Sequence, residues 1–309
     1  MTLHRASGRW RLGLGLSAAT AVFWATLPLA LKLSLERVDA ITLTWFRFVV
    51  AALATGLWLG WRGQLRGYAS LGNRQRGWLA LAAAMLLGNY VFYLLGVRDT
   101  SPANAQLLIQ LAPLLMALGG ILVFGERFGR AQWLGMALLA IGLWLFFDDQ
   151  RQRSMSADYG TGSAWVILAA VVWAVYALLQ KQLLMRLSAM QIMCAIYVLA
   201  ALALTPFAQP RALLALDPLH VALVLYCAAN TIAAYGAFAE ALAHWEASRV
   251  SAILALTPLL CIATIAMAHA LWPQLVAAER IGSIGYLGAG LVIVGSLTVS
   301  LLGRRKTRE

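Results

Sequence analysis

The sequence predicts an all-α integral membrane protein whose ten transmembrane helices form two inverted five-helix repeats. Three observations carry that prediction. The 309 residues are 62% hydrophobic and 12% charged, with a mean hydropathy of +0.77, whereas soluble domains are about 45–50% apolar and about 25% charged. Apolar runs of about 20 residues recur along the whole chain, each long enough to cross a hydrocarbon core of about 30 Å. The second half of the chain also repeats the first, at offsets of 145 to 153 residues.

Taken in order, the runs lie near 12–33, 40–61, 78–97, 102–124, 131–147, 162–184, 189–207, 219–243, 247–271 and 282–302. The first follows a basic start and imitates a secretory signal. It continues past Ala25 to Leu33 and has a counterpart in the second half, so it reads as an uncleaved helix. The fifth and tenth runs carry glycines seven residues apart, Gly135 and Gly142, then Gly288 and Gly295, as close helix packing requires. The longest connections, near 62–77 and 148–161, are too short to fold alone. The chain divides into a first repeat (1–148), a periplasmic connection (149–161), a second repeat (162–303) and a basic cytoplasmic tail (304–309).

The formal net charge of +12 is spread unevenly. Arg5, Arg9 and Arg11, then Arg62, Arg66, Arg74 and Arg76, Arg127 and Arg130, Lys181 and Arg186, and Arg304 to Arg308 fall on alternate connections. The intervening connections, such as that holding Lys32, Glu36, Arg37 and Asp39, are near neutral. This is the positive-inside pattern with both termini cytoplasmic. The basic balance is therefore a topology signal, compatible with anionic lipid, and no nucleic-acid partner is expected. Cys194, Cys227 and Cys261 lie inside apolar runs, odd in number and widely spaced, so neither a disulfide framework nor a metal site is expected.

The internal repeat is specific. Phe23–Trp24–Ala25 meets Val172–Trp173–Ala174, FVVAALA (48–54) meets YVLAALA (197–203), and QLAPLL (110–115) meets ALTPLL (255–260). GERFGRAQWLGMALLAIG (125–142) meets AERIGSIGYLGAGLVIVG (278–295). Five is odd, so the second copy enters the membrane from the opposite side. A pseudo-two-fold axis in the membrane plane then relates the halves, as in many secondary transporters, where substrate binds near the midplane between them.

Polar residues inside the runs concentrate on two matching helices per half. The third run holds Asn89, Tyr90 and Tyr93, and the fourth Gln106 and Gln110. The eighth holds Asn230, Thr231, Tyr235 and Glu240, and the ninth Ser251, Thr257 and Thr264. An amide facing lipid would leave donors and acceptors unpaired, at up to several kcal/mol. Asn89, Tyr90, Tyr93, Gln106, Gln110, Asn230 and Tyr235 are therefore expected around one aqueous space near the midplane. Interhelical hydrogen bonds are the alternative for the amides and tyrosines. Pro113 and Pro258, repeat equivalents, each remove a backbone hydrogen bond, giving a packing kink or a free carbonyl.

The ionisable residues read separately. Arg47, whose repeat mate is Ile196, is expected to snorkel outward or to pair with Asp39 or Asp99. Glu240 and His244, one turn apart, suit either proton coupling or an interfacial ion pair with Arg249. Glu126 and Glu279 precede helix starts, where a carboxylate favours the dipole. No HExxH, phosphate loop or nucleophile–base constellation appears, so no catalytic residue, cofactor or enzymatic role is expected. GSIG (282–285) reads as a helix start at Ser283.

In series, these motifs resemble the EamA-type branch of the drug/metabolite transporter superfamily. The resemblance is carried by FW (23–24), VW (172–173), RFVVAAL (47–53), TSPANAQLLIQLAPLL (100–115), GERFGRAQWLG (125–135), EASRVSAILALTPLL (246–260) and ERIGSIGYLGAGLVIVG (279–295). LWPQLVAA (271–278) departs from it as an insertion relative to the first half. The resemblance implies a multi-pass carrier of the bacterial inner membrane, commonly an exporter of amino acids or other small metabolites. Its third, fourth, eighth and ninth helices would line the cavity. The expected partners are a small-molecule substrate and membrane lipids, with the chain a monomer or weak homodimer. The reading is a secondary carrier working by alternating access. The competing readings are a non-transporting helical subunit or sensor, with GLWLG (56–60) as a dimer face, and an integral membrane enzyme.

Overall fold

The computed structural model describes residues 9–124, 129–153, 158–245 and 247–301. Glu126 lies outside them, and so does the side chain of Ser251. The helices are α1 (Trp10–Ser34), α2 (Ala40–Trp61), α3 (Asn73–Asp99), α4 (Pro102–Leu108), α5 (Leu111–Phe124), α6 (Arg130–Arg153) and α7 (Tyr159–Leu183). They continue with α8 (Ala189–Leu204), α9 (Pro210–Leu214), α10 (Pro218–His244), α11 (Ala247–Leu254), α12 (Thr257–Leu271) and α13 (Ser283–Leu301). Every apolar run of the sequence is helical, giving ten passes when the two broken runs, α4–α5 and α11–α12, are each counted once. The ends differ from expectation in places. Helix α3 begins at Asn73, and α6 runs on to Arg153 through part of the expected connection. A short 3₁₀ helix, Gln64–Ser70, and α9 lie in connections between the spans.

Side chains finish the helix ends that the backbone leaves open. Asp39 accepts from the Ile41 and Thr42 amides, each at 2.9 Å, and so starts α2. Asp217 accepts from Leu219 and His220 ahead of Pro218, the favoured first residue of a helix. Ser188 and Gln191 form a reciprocal capping box at the start of α8. The Lys32 ammonium donates to the Val97 and Thr100 carbonyls at 3.0 and 2.9 Å, closing the C-terminal end of α3.

The fourth and ninth runs are broken at matching places. Residues 109–110 separate α4 from α5, and 255–256 separate α11 from α12. Proline causes both breaks. Pro113 has no N–H for the Ile109 carbonyl, which accepts instead from Ala112 N at 2.9 Å. Pro258 likewise leaves the Leu254 carbonyl, which accepts from the Thr257 hydroxyl at 2.6 Å. The prolines therefore interrupt their helices rather than merely kinking them.

Helix pairing follows the repeat. Helix α3 lies along α7 and α1 along α10; α5 packs on α7 and α1 on α12; α2 packs on α8 and α6 on α13. Exchanging the halves turns the first pair into the second and the third into the fourth, and leaves the last two unchanged. That is the pattern a two-fold axis generates. The glycine seam marks the axis directly: a Cβ on Gly135 would lie 2.8 Å from Gly295 O, and one on Gly142 would lie 2.6 Å from Gly288 O.

Glu279 does not serve the start of its own helix. It accepts from Ala103 N at 3.3 Å, at the first turn of α4. The start of α13 is served by Asp149, which accepts from Gly282 N at 2.9 Å and from Arg153 Nε at 3.0 Å. Following the 271–278 insertion, Glu279 reaches the broken fourth span instead of its own helix start, which a repeat-based reading does not anticipate.

Candidate functional site

The candidate site is built where α2, α3 and α10 meet near the middle of the bundle. Arg47, two turns into α2, is 3% exposed. It neither snorkels nor pairs with the expected carboxylates. Asp39 is engaged in capping α2, and Asp99 pairs with Arg98 at 2.6 Å. The Arg47 guanidinium instead lies over the Tyr90 ring at 4.7 Å, and its Nε donates to the Thr231 hydroxyl at 3.0 Å. Thr231 in turn donates to the Cys227 carbonyl at 2.9 Å, so it can only accept from the arginine.

Aromatic rings surround this contact. Phe48 packs on Tyr90 at 4.6 Å and on Tyr197 at 5.6 Å between ring centroids. On the α1–α10 side, Trp24 meets Tyr235 edge-on at 5.9 Å and Phe238 at 5.7 Å. The Tyr90 hydroxyl is close enough to interact with Tyr235 and Thr231. Tyr93 and Tyr235 sit deep in the bundle with protein on all sides, yet both keep part of their surface uncovered. Uncovered surface at that depth marks internal space.

The amides divide between packing and open space. Asn89 is buried and donates to the Ala169 carbonyl of α7 at 3.0 Å. Asn230 is buried and donates to the Phe23 carbonyl of α1 at 2.8 Å and to Tyr226 at 3.1 Å. The two bonds pin the two symmetry-related helix pairs, α3 with α7 and α10 with α1. Gln106 is also buried and accepts from Tyr93 at 3.1 Å, tying α4 to α3. Gln110 differs. It lies in the break between α4 and α5, is only partly covered, and its side chain has no hydrogen-bond partner among the described residues. Tyr90, Tyr235 and Tyr93 thus gather with Arg47, while Asn89 and Asn230 hold the walls behind them.

Glu240 and His244 stand apart, at the end of α10. Their side chains pair at 3.0 Å, with Glu240 61% exposed and His244 14% exposed. Two features at the site escaped the sequence reading. Thr231 was visible only as one hydroxyl among several, and Asn104 sits too near a helix start to look intramembrane. Asn104 accepts from Tyr159 at 2.8 Å and donates to Ser163 at 3.4 Å, a buried link between α4 and α7. For Arg47 the signal was present: a cation in TWFRFVV without a mate in the other half.

The sequence profile of the EamA-like transporter family matches residues 11–148 and 160–301. A Haemophilus influenzae protein named "Uncharacterized transporter" is 33% identical over 296 residues, covering 95% of this chain and 96% of its own. The Escherichia coli protein named "Uncharacterized inner membrane transporter YhbE" is 33% identical over 299 residues, covering 95% of this chain and 92% of its own. A protein of known crystal structure aligns with a TM-score of 0.63 at 20% identity, over 97% of this chain and 99% of its own, a likeness of fold.

Proposed function

The chain belongs to the EamA-like transporter family and is a membrane transporter, and on that premise we propose that it is a secondary carrier for small amphipathic metabolites, amino acids among them, working by alternating access as an exporter of the bacterial inner membrane. The observation that carries this reading is the placement of Tyr90, Tyr93, Arg47 and Tyr235 between halves related by a two-fold axis, beside a span broken at Gln110. Broken helices at the repeat interface flank the site, and the two repeats can rock about a ligand held between them. The aromatic walls suit an apolar body, and the few polar groups fix its orientation. With no nucleotide-binding loop in the sequence, a solute or proton gradient supplies the driving force. Proton coupling through Glu240 and His244 is the alternative, set against the exposed ion pair that they form at the end of α10.

The chain acts on a small-molecule substrate among membrane lipids, as a monomer or weak homodimer. Its two repeats span 1–148 and 162–303, joined by a periplasmic connection, 149–161, and followed by a cytoplasmic tail, 304–309. Purified protein in proteoliposomes should accelerate counterflow of radiolabelled amino acids or amphipathic metabolites over protein-free vesicles. A broad panel with no accelerated solute would reject the carrier reading. Sidedness is tested separately in cells: an impermeant thiol reagent added outside should label Arg211→Cys and leave Asn73→Cys unlabelled. Native background is low, because Cys194, Cys227 and Cys261 are buried. The reverse result would invert the topology.

A further inference from the structure

We infer that Arg47 is the anchor for the carboxylate of a small monoanionic substrate, a step that rests on the carrier reading and narrows its substrate class. The inference begins with an imbalance. Arg47 is the one buried lysine or arginine among the described residues, and a guanidinium inside a membrane span is unfavourable unless partners replace its water. The partners present are one hydroxyl, Thr231, and one ring face, Tyr90. No carboxylate pairs with it among the described residues, and the two acids nearest in the sequence reading are engaged elsewhere.

The unused donors have somewhere to point. Arginine carries a planar fork of N–H groups, and among the described residues only Nε has a hydrogen-bond partner. The sealed side-chain nitrogens and oxygens left without partners, among the described residues, are Thr44 Oγ1 and Asn230 Oδ1. The two Arg47 Nη groups are not among them, although none of the described residues accepts a hydrogen bond from them. They therefore border open space inside the bundle, in the neighbourhood where Tyr93 and Tyr235 keep uncovered surface. Tyr93, Tyr197 and Tyr235 all lie within electrostatic reach of the guanidinium.

Shape and charge then set the ligand class. A fixed guanidinium fork matches a planar carboxylate in a bidentate manner. With Nε held by Thr231, the Nη groups are pre-oriented, so little freedom is lost when a carboxylate arrives. One cation neutralises one negative charge, and the repeat mate of Arg47 is the fully buried Ile196. A dianion would leave one charge unmatched at that depth. The rings of Phe48, Tyr90, Trp24 and Tyr235 leave an apolar or aromatic body as the rest of the ligand.

The test compares matched carboxylates and primary amides: 3-phenylpropionate, hexanoate, phenylalanine and leucine against their amides. Thermal shift of the purified protein in detergent reads apparent affinity. At least one carboxylate should stabilise the wild type more than its amide does. Arg47→Met should remove that preference, weakening the carboxylate about ten- to hundredfold and leaving the amide unchanged. Should Arg47→Met fail to fold, Arg47→Lys decides. It keeps the charge without the fork and should weaken the same carboxylate by about tenfold. The proposal is overturned if no carboxylate is preferred by the wild type, or if either folded variant binds it as the wild type does. Counterflow of the same panel separates the two readings. Carboxylate preference without flux removes the carrier and keeps the site; flux without carboxylate preference removes the site and keeps the carrier.

Discussion

Gly142 and Gly288 meet across the pseudo-two-fold axis with no room for a side chain between them. A Cβ on Gly142 would stand 2.6 Å from the Gly288 carbonyl oxygen and 2.7 Å from Val292 N, and one on Gly288 would stand 2.7 Å from the Gly142 oxygen. These neighbours are backbone, which cannot swing aside as a side chain can. Gly142→Ala is therefore expected to push α6 from α13, at about 1–3 kcal/mol by analogy with overpacked cores. Gly290→Ala on the same helix meets nothing within 4 Å and serves as the control. Thermal unfolding in detergent should show a clear loss for the first variant and little change for the second. Equal behaviour would remove the seam from the account of stability.

The glutamines that share a helix face in the sequence should separate in function. Gln106 is bonded to Tyr93, whereas Gln110 has no side-chain partner and sits at the break. Gln110→Ala should lower flux while leaving folded yield near that of the wild type. Gln106→Leu should lower folded yield as well, since it removes the partner of the part-buried Tyr93 hydroxyl, at about 0.5–1.5 kcal/mol. Flux per folded molecule is the quantity to measure. If Gln110→Ala transports normally, its openness has no bearing on substrate.

Much of this arrangement was legible in the sequence because symmetry magnifies weak signals. Single motifs such as VFWA or QLAPLL say little, but their repetition in register set the ten spans, the inverted halves and the paired prolines. The glycines at 135, 142, 288 and 295 mark a close approach of the α6 and α13 backbones. What could not be read is which partner each polar side chain selects. Asn89 and Asn230 have the residue type and depth of a cavity lining, yet adjacent carbonyls on α7 and α1 lie within reach and take their N–H groups. Arg47 departs from the partners expected for it. Sequence proximity suggested Asp39, but the open amides at the start of α2 claim that carboxylate first.

The exposed pair at the end of α10 should contribute little. Glu240 and His244 are one turn apart and paired at 3.0 Å, with most of the carboxylate in solvent. Such pairs are worth about 0–1 kcal/mol. Glu240→Gln is expected to leave the pH profile of net flux unchanged and to lower stability only slightly. Net flux and exchange should be compared for both proteins from about pH 5.5 to about pH 8, the span in which His titrates. Loss of net flux with exchange retained would instead assign the pair to proton coupling.

Glu279 should make the more visible pH effect, on stability. Burial pushes its carboxyl above the usual carboxylate range, against the opposing pull of the Ser101 hydroxyl, the Ala103 N–H and the Lys32 charge. The residue lies in the 272–282 connection, against the first turn of α4. A carboxyl raised on folding binds its proton more tightly in the folded chain than in the unfolded one. Its contribution is therefore fully present below the ordinary carboxylate pKa and is lost as pH rises through the raised folded value. Stability of the wild type should fall across that interval, because the charged form is partly buried with incomplete compensation. Glu279→Gln keeps an oxygen to accept from Ala103 and carries no charge at any pH, so its profile should be flatter there. Melting temperatures from about pH 4 to about pH 8, bracketing the ordinary carboxylate range, decide the matter. Parallel curves for the two proteins would mean that Lys32 and the α4 amides fully offset the burial of the charge.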